Sequence, residues 1–264
     1  MKSYDVVIIG SGCGGGSVAL QLAGSGARTL ILERGQSLPR EAQNSDPEAV
    51  FGQRRYHTDE TWWADNEAFK PGMFYYVGGN TKFYGSAMFR FRERDFGEVE
   101  HDEGVSPAWP INYADLEPWY EQAETPFGVH GRGGADPTDP PRSKDFDHAP
   151  VPHEPVMLAV EHRMKAKGLK PFPMPCAIDF GPGGRCKRCE NCDAFPCQID
   201  AKGDAEIKLI RPATASANVE LKTGAQVLKL IADASGRRIV AAEVLIDGKA
   251  PGASRGMGLA NAYA

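Results

Sequence analysis

The chain has 264 residues, 41% of them hydrophobic, with 30 Lys and Arg against 35 Asp and Glu. That composition excludes a wholly disordered chain, and a formal charge of −5 excludes a dedicated nucleic-acid binder, which needs a concentrated basic surface. The length predicts one or two domains.

The N-terminal apolar run is far shorter than the ~20 residues a membrane span requires. It also lacks the longer apolar core and small-residue cleavage site of a secretory signal. A cytoplasmic location is the resulting expectation. Tyr4 to Ile9 reads instead as a buried parallel strand, rich in Val and Ile. It enters Gly10-Ser11-Gly12-Cys13-Gly14-Gly15-Gly16, where Gly10, Gly12 and Gly15 satisfy G-x-G-x-x-G. A helix is predicted over Ser17 to Ala23 and a second strand over Arg28 to Leu32, closed by Glu33.

This order is the context a dinucleotide-binding turn requires. Gly10 permits the tight turn, Gly12 lets backbone approach a pyrophosphate, and Gly15 lets helix and strand pack closely. The helix N-terminus favours the phosphate charge. Glu33, 23 residues after Gly10, can accept hydrogen bonds from ribose hydroxyls and would repel a 2′-phosphate. Local features do not separate FAD from NAD.

Further along, Val77-Gly78-Gly79-Asn80-Thr81-Lys82-Phe83-Tyr84-Gly85 contains a glycine pair able to form an anion-binding concavity. Arg90, Arg92 and Arg94 alternate with Phe89, Phe91 and Glu93, which predicts one basic face of a strand. That face reads first as solvated and second as a lure for an anionic substrate. Gly131 to Pro155 is Pro-rich and is predicted to be an irregular connection.

Cys186, Cys189, Cys192 and Cys197 follow a C-x2-C-x2-C-x4-C pattern, with Cys176 upstream. The spacing is close to that of ferredoxin cluster runs but departs at its last step. Zinc, disulfides and unliganded thiols remain open beside an iron–sulfur cluster. The six histidines show no metal-ligand spacing. Regular structure is expected again from residue 204: a short helix or loop over Ala205 to Pro212, then strands at Val219 to Lys222, Gln226 to Ala232 and Ile239 to Ile246. Ser235-Gly236 predicts a hairpin turn between the last two. Lys249 to Ala264 shows no period and reads as a loop or frayed tail.

The dinucleotide turn, the glycine-pair segment and Trp109-Pro110-Ile111-Asn112-Tyr113-Ala114-Asp115-Leu116-Glu117-Pro118-Trp119-Tyr120 occur in the order seen in glucose–methanol–choline (GMC) oxidoreductases, which this chain resembles over residues 4–248. The resemblance implies an α/β fold: a Rossmann-type FAD-binding domain from residues 1–92 and 203–264, incomplete at its C-terminus, split by an irregular cap or substrate-side region over 93–202. It implies FAD, with Gly10, Gly12, Gly15 and Glu33 at pyrophosphate and ribose. Gly78, Gly79, Asn80 and Thr81 would face the phosphate and ribityl side, Tyr84 and Gly85 the flavin ring, and the Val227 backbone the adenine. Phe83 stands where pyranose oxidase links a His to its flavin, so the cofactor would be non-covalent.

The implied reaction is oxidation of an alcohol or sugar CH–OH by hydride transfer to flavin. Some sugar-oxidising relatives carry an iron–sulfur cluster, which would give the cysteine run a use and suggests an electron-acceptor protein as partner. The family's catalytic His comes late in a chain about twice this long, whereas the last histidine here is His162. The expectation is therefore a truncated chain without its own base. An NAD-dependent dehydrogenase, and a non-catalytic iron–sulfur or zinc electron-transfer module, are the alternatives.

Overall fold

A computed structural model describes residues 3–248; the expected tail over 249–264 lies outside them. In chain order the elements are β1 (Val6–Ile9), α1 (Cys13–Leu22), β2 (Thr29–Leu32), β3 (Trp62–Ala64), β4 (Glu67–Phe69), β5 (Val99–His101) and β6 (Gly104–Ser106). There follow α2 (Tyr113–Phe127), β7 (Val129–His130), α3 (Pro155–Ala166), β8 (Cys176–Ala177), a π-helical turn (Glu206–Ile210) continuing into α4 (Arg211–Thr214), β9 (Val219–Lys222), β10 (Ala225–Ala232) and β11 (Ile239–Ile246).

The chain divides into two compact units. Among the described residues the first contains 3–85, 189–200 and 204–248; the second contains 86–188 and 201–203. In the first unit β1, β2 and β9 form a parallel sheet in the order β1-β2-β9, with Val6 opposite Thr29 and Thr29 opposite Val219. Period-two alternation divides β2 between two cores. Ile31 turns towards α1 with Ile8, Ala19, Ile210, Ala213 and Val219. Leu30 and Leu32 turn the other way, onto Ala225 and the half-buried Val227, Val244 and Ile246 of the β10–β11 hairpin. The hairpin turn closes where Ser235-Gly236 predicts it, with Gly236 at φ +69° and its N–H donating to the Asp233 carbonyl.

Helix α1 begins at Cys13, four residues before the predicted start at Ser17. Three glycines in a first turn oppose helix formation by propensity. Packing reverses the outcome. A Cβ on Gly16 would stand 3.0 Å from Leu209 Cβ, so only a bare backbone lets α1 settle on the Glu206–Ile210 turn.

The second unit is mostly irregular, as the Pro-rich sequence predicts. Helix α2 is started by a capping box in which Asn112 Oδ1 accepts from the Asp115 N–H and Asp115 Oδ2 from the Asn112 N–H. Gly128, at φ +62°, ends it. The expected basic strand face is corrected here. Residues 88–92 are not a strand, and the three arginines do not share a face. Arg90 is buried and holds Glu124 through two parallel bonds of 2.8 Å, with Nη1 donating to Tyr113 Oη at 2.9 Å. Arg92 pairs with Asp136 and Asp139, and Arg94 is largely exposed. Carboxylates 27 to 47 residues away in the chain, not local alternation, decided where the Arg90 and Arg92 guanidinium groups went.

Candidate functional site

One cavity of about 380 Å³ in the first unit opens at the C-terminal end of β1. Gly10, Gly12, Glu33, Gly79, Asn80 and Val227, all singled out in the sequence, line it together with Arg34, Phe74 and Tyr75. A crevice at the carboxyl ends of parallel strands is where open α/β sheets bind ligands.

The floor is the glycine turn. Gly10 has φ +89°, a conformation only glycine adopts freely, and its N–H donates to the Leu32 carbonyl at 2.8 Å. Gly12 caps α1, and no atom lies within 4 Å of where its Cβ would be, so the space in front of its backbone is open. The first N–H groups of α1 have no intrahelical acceptor and carry the positive end of the helix dipole. Gly15 lies behind this surface. A Cβ there would overlap the Gly10 carbonyl oxygen and stand 3.1 Å from Ile8 Cγ2.

Glu33 is buried, and its carboxylate organises the turn. Oε2 accepts from Ser11 N at 2.9 Å and Ser11 Oγ at 2.6 Å, while Oε1 accepts from Gly35 N at 2.8 Å. Ser11, fully buried between two glycines, was not flagged by sequence reasoning. Its hydroxyl also accepts from Gly78 N at 3.2 Å, joining the two glycine motifs.

The glycine pair forms the facing wall as a short 3-10 turn, Gly79–Lys82, with Gly78 at φ +92° and Gly79 at φ +57°. A Cβ on Gly79 would lie 3.4 Å from Gly12 Cα, so the two backbones approach closely. Asn80 and Thr81 each make side-chain hydrogen bonds to backbone. Asn80 Oδ1 accepts from Phe74 N at 3.1 Å. Thr81 Oγ1 donates to the Gly78 carbonyl at 2.6 Å and accepts from Ala205 N at 2.9 Å. Tyr84 and Gly85 are not among the lining residues; a Cβ on Gly85 would meet Asp193.

At the outer end, Arg34 stacks 3.7 Å over the Tyr75 ring and pairs with Glu60, which also accepts from Tyr75 Oη at 2.6 Å. The Tyr75 hydroxyl, and then Arg34, hold the Glu60 carboxyl below its usual value of 4.5. A depressed carboxylate stabilises the folded state above its unfolded pKa, and that contribution is lost as pH falls through the folded value. The melting temperature should therefore drop below about pH 4.5 more steeply in the wild type than in Glu60→Gln. Identical acid limbs in thermal scans would contradict this.

The structure gives the iron–sulfur reading of the cysteine run no support. Among the described residues no group of three or more His, Cys, Asp or Glu side chains is placed to hold a metal ion. Cys186 falls in the second unit, and Cys189, Cys192 and Cys197 fall in the first. The 189–200 segment is anchored by several side chains. Phe195 is buried with Val50, Tyr56 and Phe83, Asn191 Nδ2 donates to the Ser45 carbonyl, and Gln198 Nε2 donates to the Glu41 carbonyl. Spacing alone did not reveal these anchors.

Residues 5–46, the turn and its flanking strands, match the FAD binding domain family model. The chain is 35% identical over 247 residues to 6'''-hydroxyparomomycin C oxidase of Streptomyces lividus, covering 89% of this chain and 43% of that protein. It is 33% identical to paromamine 6'-oxidase of Streptomyces fradiae, covering 88% and 42%. In fold it is similar to the crystal structure of pyridoxine 4-oxidase from Mesorbium loti, with a TM-score of 0.54 at 16% identity over 99% of this chain and 48% of that one. The chain thus spans less than half the length of these relatives.

Proposed function

The chain is related to the GMC-type FAD-dependent oxidoreductases over their N-terminal half, and on that premise we propose that it supplies the FAD-binding part of an oxidoreductase acting on CH–OH groups of alcohols or sugars. The observation that carries the reading is the cavity, in which two glycine motifs distant in sequence face each other so closely that a Cβ on Gly79 would lie 3.4 Å from Gly12 Cα, beside a buried Glu33. An adenosine diphosphate moiety fits these residues. The α1 N-terminus and the bare backbone at Gly12 suit the pyrophosphate, the Glu33 carboxylate suits ribose hydroxyls, and Val227 with the Tyr75–Arg34 stack suits an adenine face.

When bound, FAD supplies the hydride acceptor for alcohol oxidation. The residues of this chain bind and orient it. Phe83, buried and stacked on Phe74 at 3.8 Å, offers no nucleophilic atom, which supports non-covalent attachment at that position. In this reading the chain's role at the cavity is to bind and orient the cofactor. The relatives named as oxidases of hydroxyparomomycin C and paromamine support an alcohol-bearing small molecule as substrate. In this reading the second unit forms part of the substrate side, and the electron acceptor is a separate molecule.

The test is a visible absorption spectrum of the purified chain, with the supernatant read after acid precipitation. Flavin absorbance that acid releases into the supernatant is the expected result. A folded chain that stays colourless after incubation with FAD overturns the reading.

A further inference from the structure

Lys82 sits on the glycine-pair turn, where a basic side chain would ordinarily be read as a phosphate ligand. The structure gives it another task. The residue is 4% exposed, and its ammonium donates to Asp204 Oδ2 at 3.0 Å and to Glu206 Oε2 at 2.6 Å. Both carboxylates belong to the start of the Glu206–Ile210 turn, more than 120 residues along the chain. Burial pushes the Asp204 carboxyl up against the pull of Lys82. Burial also raises Glu206, but its bonds to Lys82 and Arg211 outweigh that and leave it lowered. Arg211 donates to the other Glu206 oxygen at 2.9 Å and to Asp200 at 2.8 Å, and Asp200 pairs with Arg40.

The same helical segment touches both walls of the cavity. Leu209 packs on Gly16 of α1, and the Ala205 N–H donates to Thr81. A Cβ on Gly78 would stand 3.0 Å from both Glu206 N and Lys82 Cδ, so the turn lies flat against this segment. We propose that Lys82 is a positioning residue that latches the glycine-pair turn to the Asp204–Glu206 segment, setting the Gly79 backbone against Gly12, and that it is not itself a phosphate ligand. The proposal rests on the FAD reading of the cavity.

The two roles of Lys82 predict opposite signs for Glu206→Gln. If Lys82 were a phosphate ligand, weakening its carboxylate partner would free the ammonium and tighten FAD. If it is a latch, the dissociation constant for FAD rises about tenfold, and amide exchange over residues 78–83 accelerates in the FAD-free protein. The measurements are a fluorescence titration with FAD and hydrogen–deuterium exchange on the full chain. Arg211→Met, which removes the neighbouring contact without touching Lys82, should leave affinity within about twofold. Lys82→Met, which keeps the stem volume, should weaken FAD and loosen the same amides, and it carries the test if Glu206→Gln does not fold. Unchanged or tighter binding in Glu206→Gln, equal weakening by Arg211→Met, or an unaltered Lys82→Met overturns the latch. A wild-type chain that binds no FAD would instead sink the cofactor reading.

Discussion

Replacing Gly15 with alanine is expected to raise the dissociation constant for FAD by about 100-fold and to lower the melting temperature. The added methyl would overlap the Gly10 carbonyl oxygen and press on Ile8 Cγ2 at 3.1 Å. Neither neighbour can yield locally. Gly10 is tied to Leu32 through its N–H, and Ile8 is in the core between α1 and the sheet. The helix must therefore withdraw from β1, carrying away the N–H groups that would meet the pyrophosphate. Overpacking of this kind costs roughly 1–3 kcal/mol, and a backbone clash belongs at the upper end. Gly14→Ala is the matched control for stability, because nothing lies within 4 Å of that Cβ. A titration giving Gly15→Ala the affinity of the wild type would refute the packing argument.

Glu33→Ala should be as severe, through hydrogen bonding instead of volume. The substitution leaves the Ser11 N–H, the Ser11 hydroxyl and the Gly35 N–H without their acceptor in a buried site. Each orphaned group costs roughly 1–3 kcal/mol, so a total of about 4 kcal/mol is expected, a large share of ordinary domain stability. Glu33→Asp keeps the charge but cannot span the same donors, and should fall between. Chemical denaturation of the three proteins checks the order. Retention of wild-type stability by Glu33→Ala would mean that the carboxylate acts on ligand alone and not on the turn.

The strand–turn–helix–strand unit was legible because each of its requirements is local. A run of Val and Ile predicts β1 wherever it lies, and φ +89° at position 10 needs glycine regardless of what surrounds it. The hairpin of β10 and β11 was legible for the same reason: alternation on both sides of a Ser-Gly turn. Glu33 was visible as a carboxylate at the end of β2, but its three bonds to Ser11 and Gly35 were not. A buried serine between two glycines leaves no periodic trace.

Sequence by itself determined the α/β class, the dinucleotide turn and the second glycine motif, since these rest on backbone conformation and short-range pattern. Tertiary structure alone decided which polar side chains face the cavity and which are used to build it. Thr81 turns inward to Ala205, Lys82 finds carboxylates more than 120 residues away, and Arg90 leaves its alternating row for Glu124. It also decided that Phe195 packs with Val50, Tyr56 and Phe83. The physical reason is common to all of these. A buried charge or amide goes where its desolvation is compensated, and that partner is fixed by the packed fold rather than by neighbours in the chain.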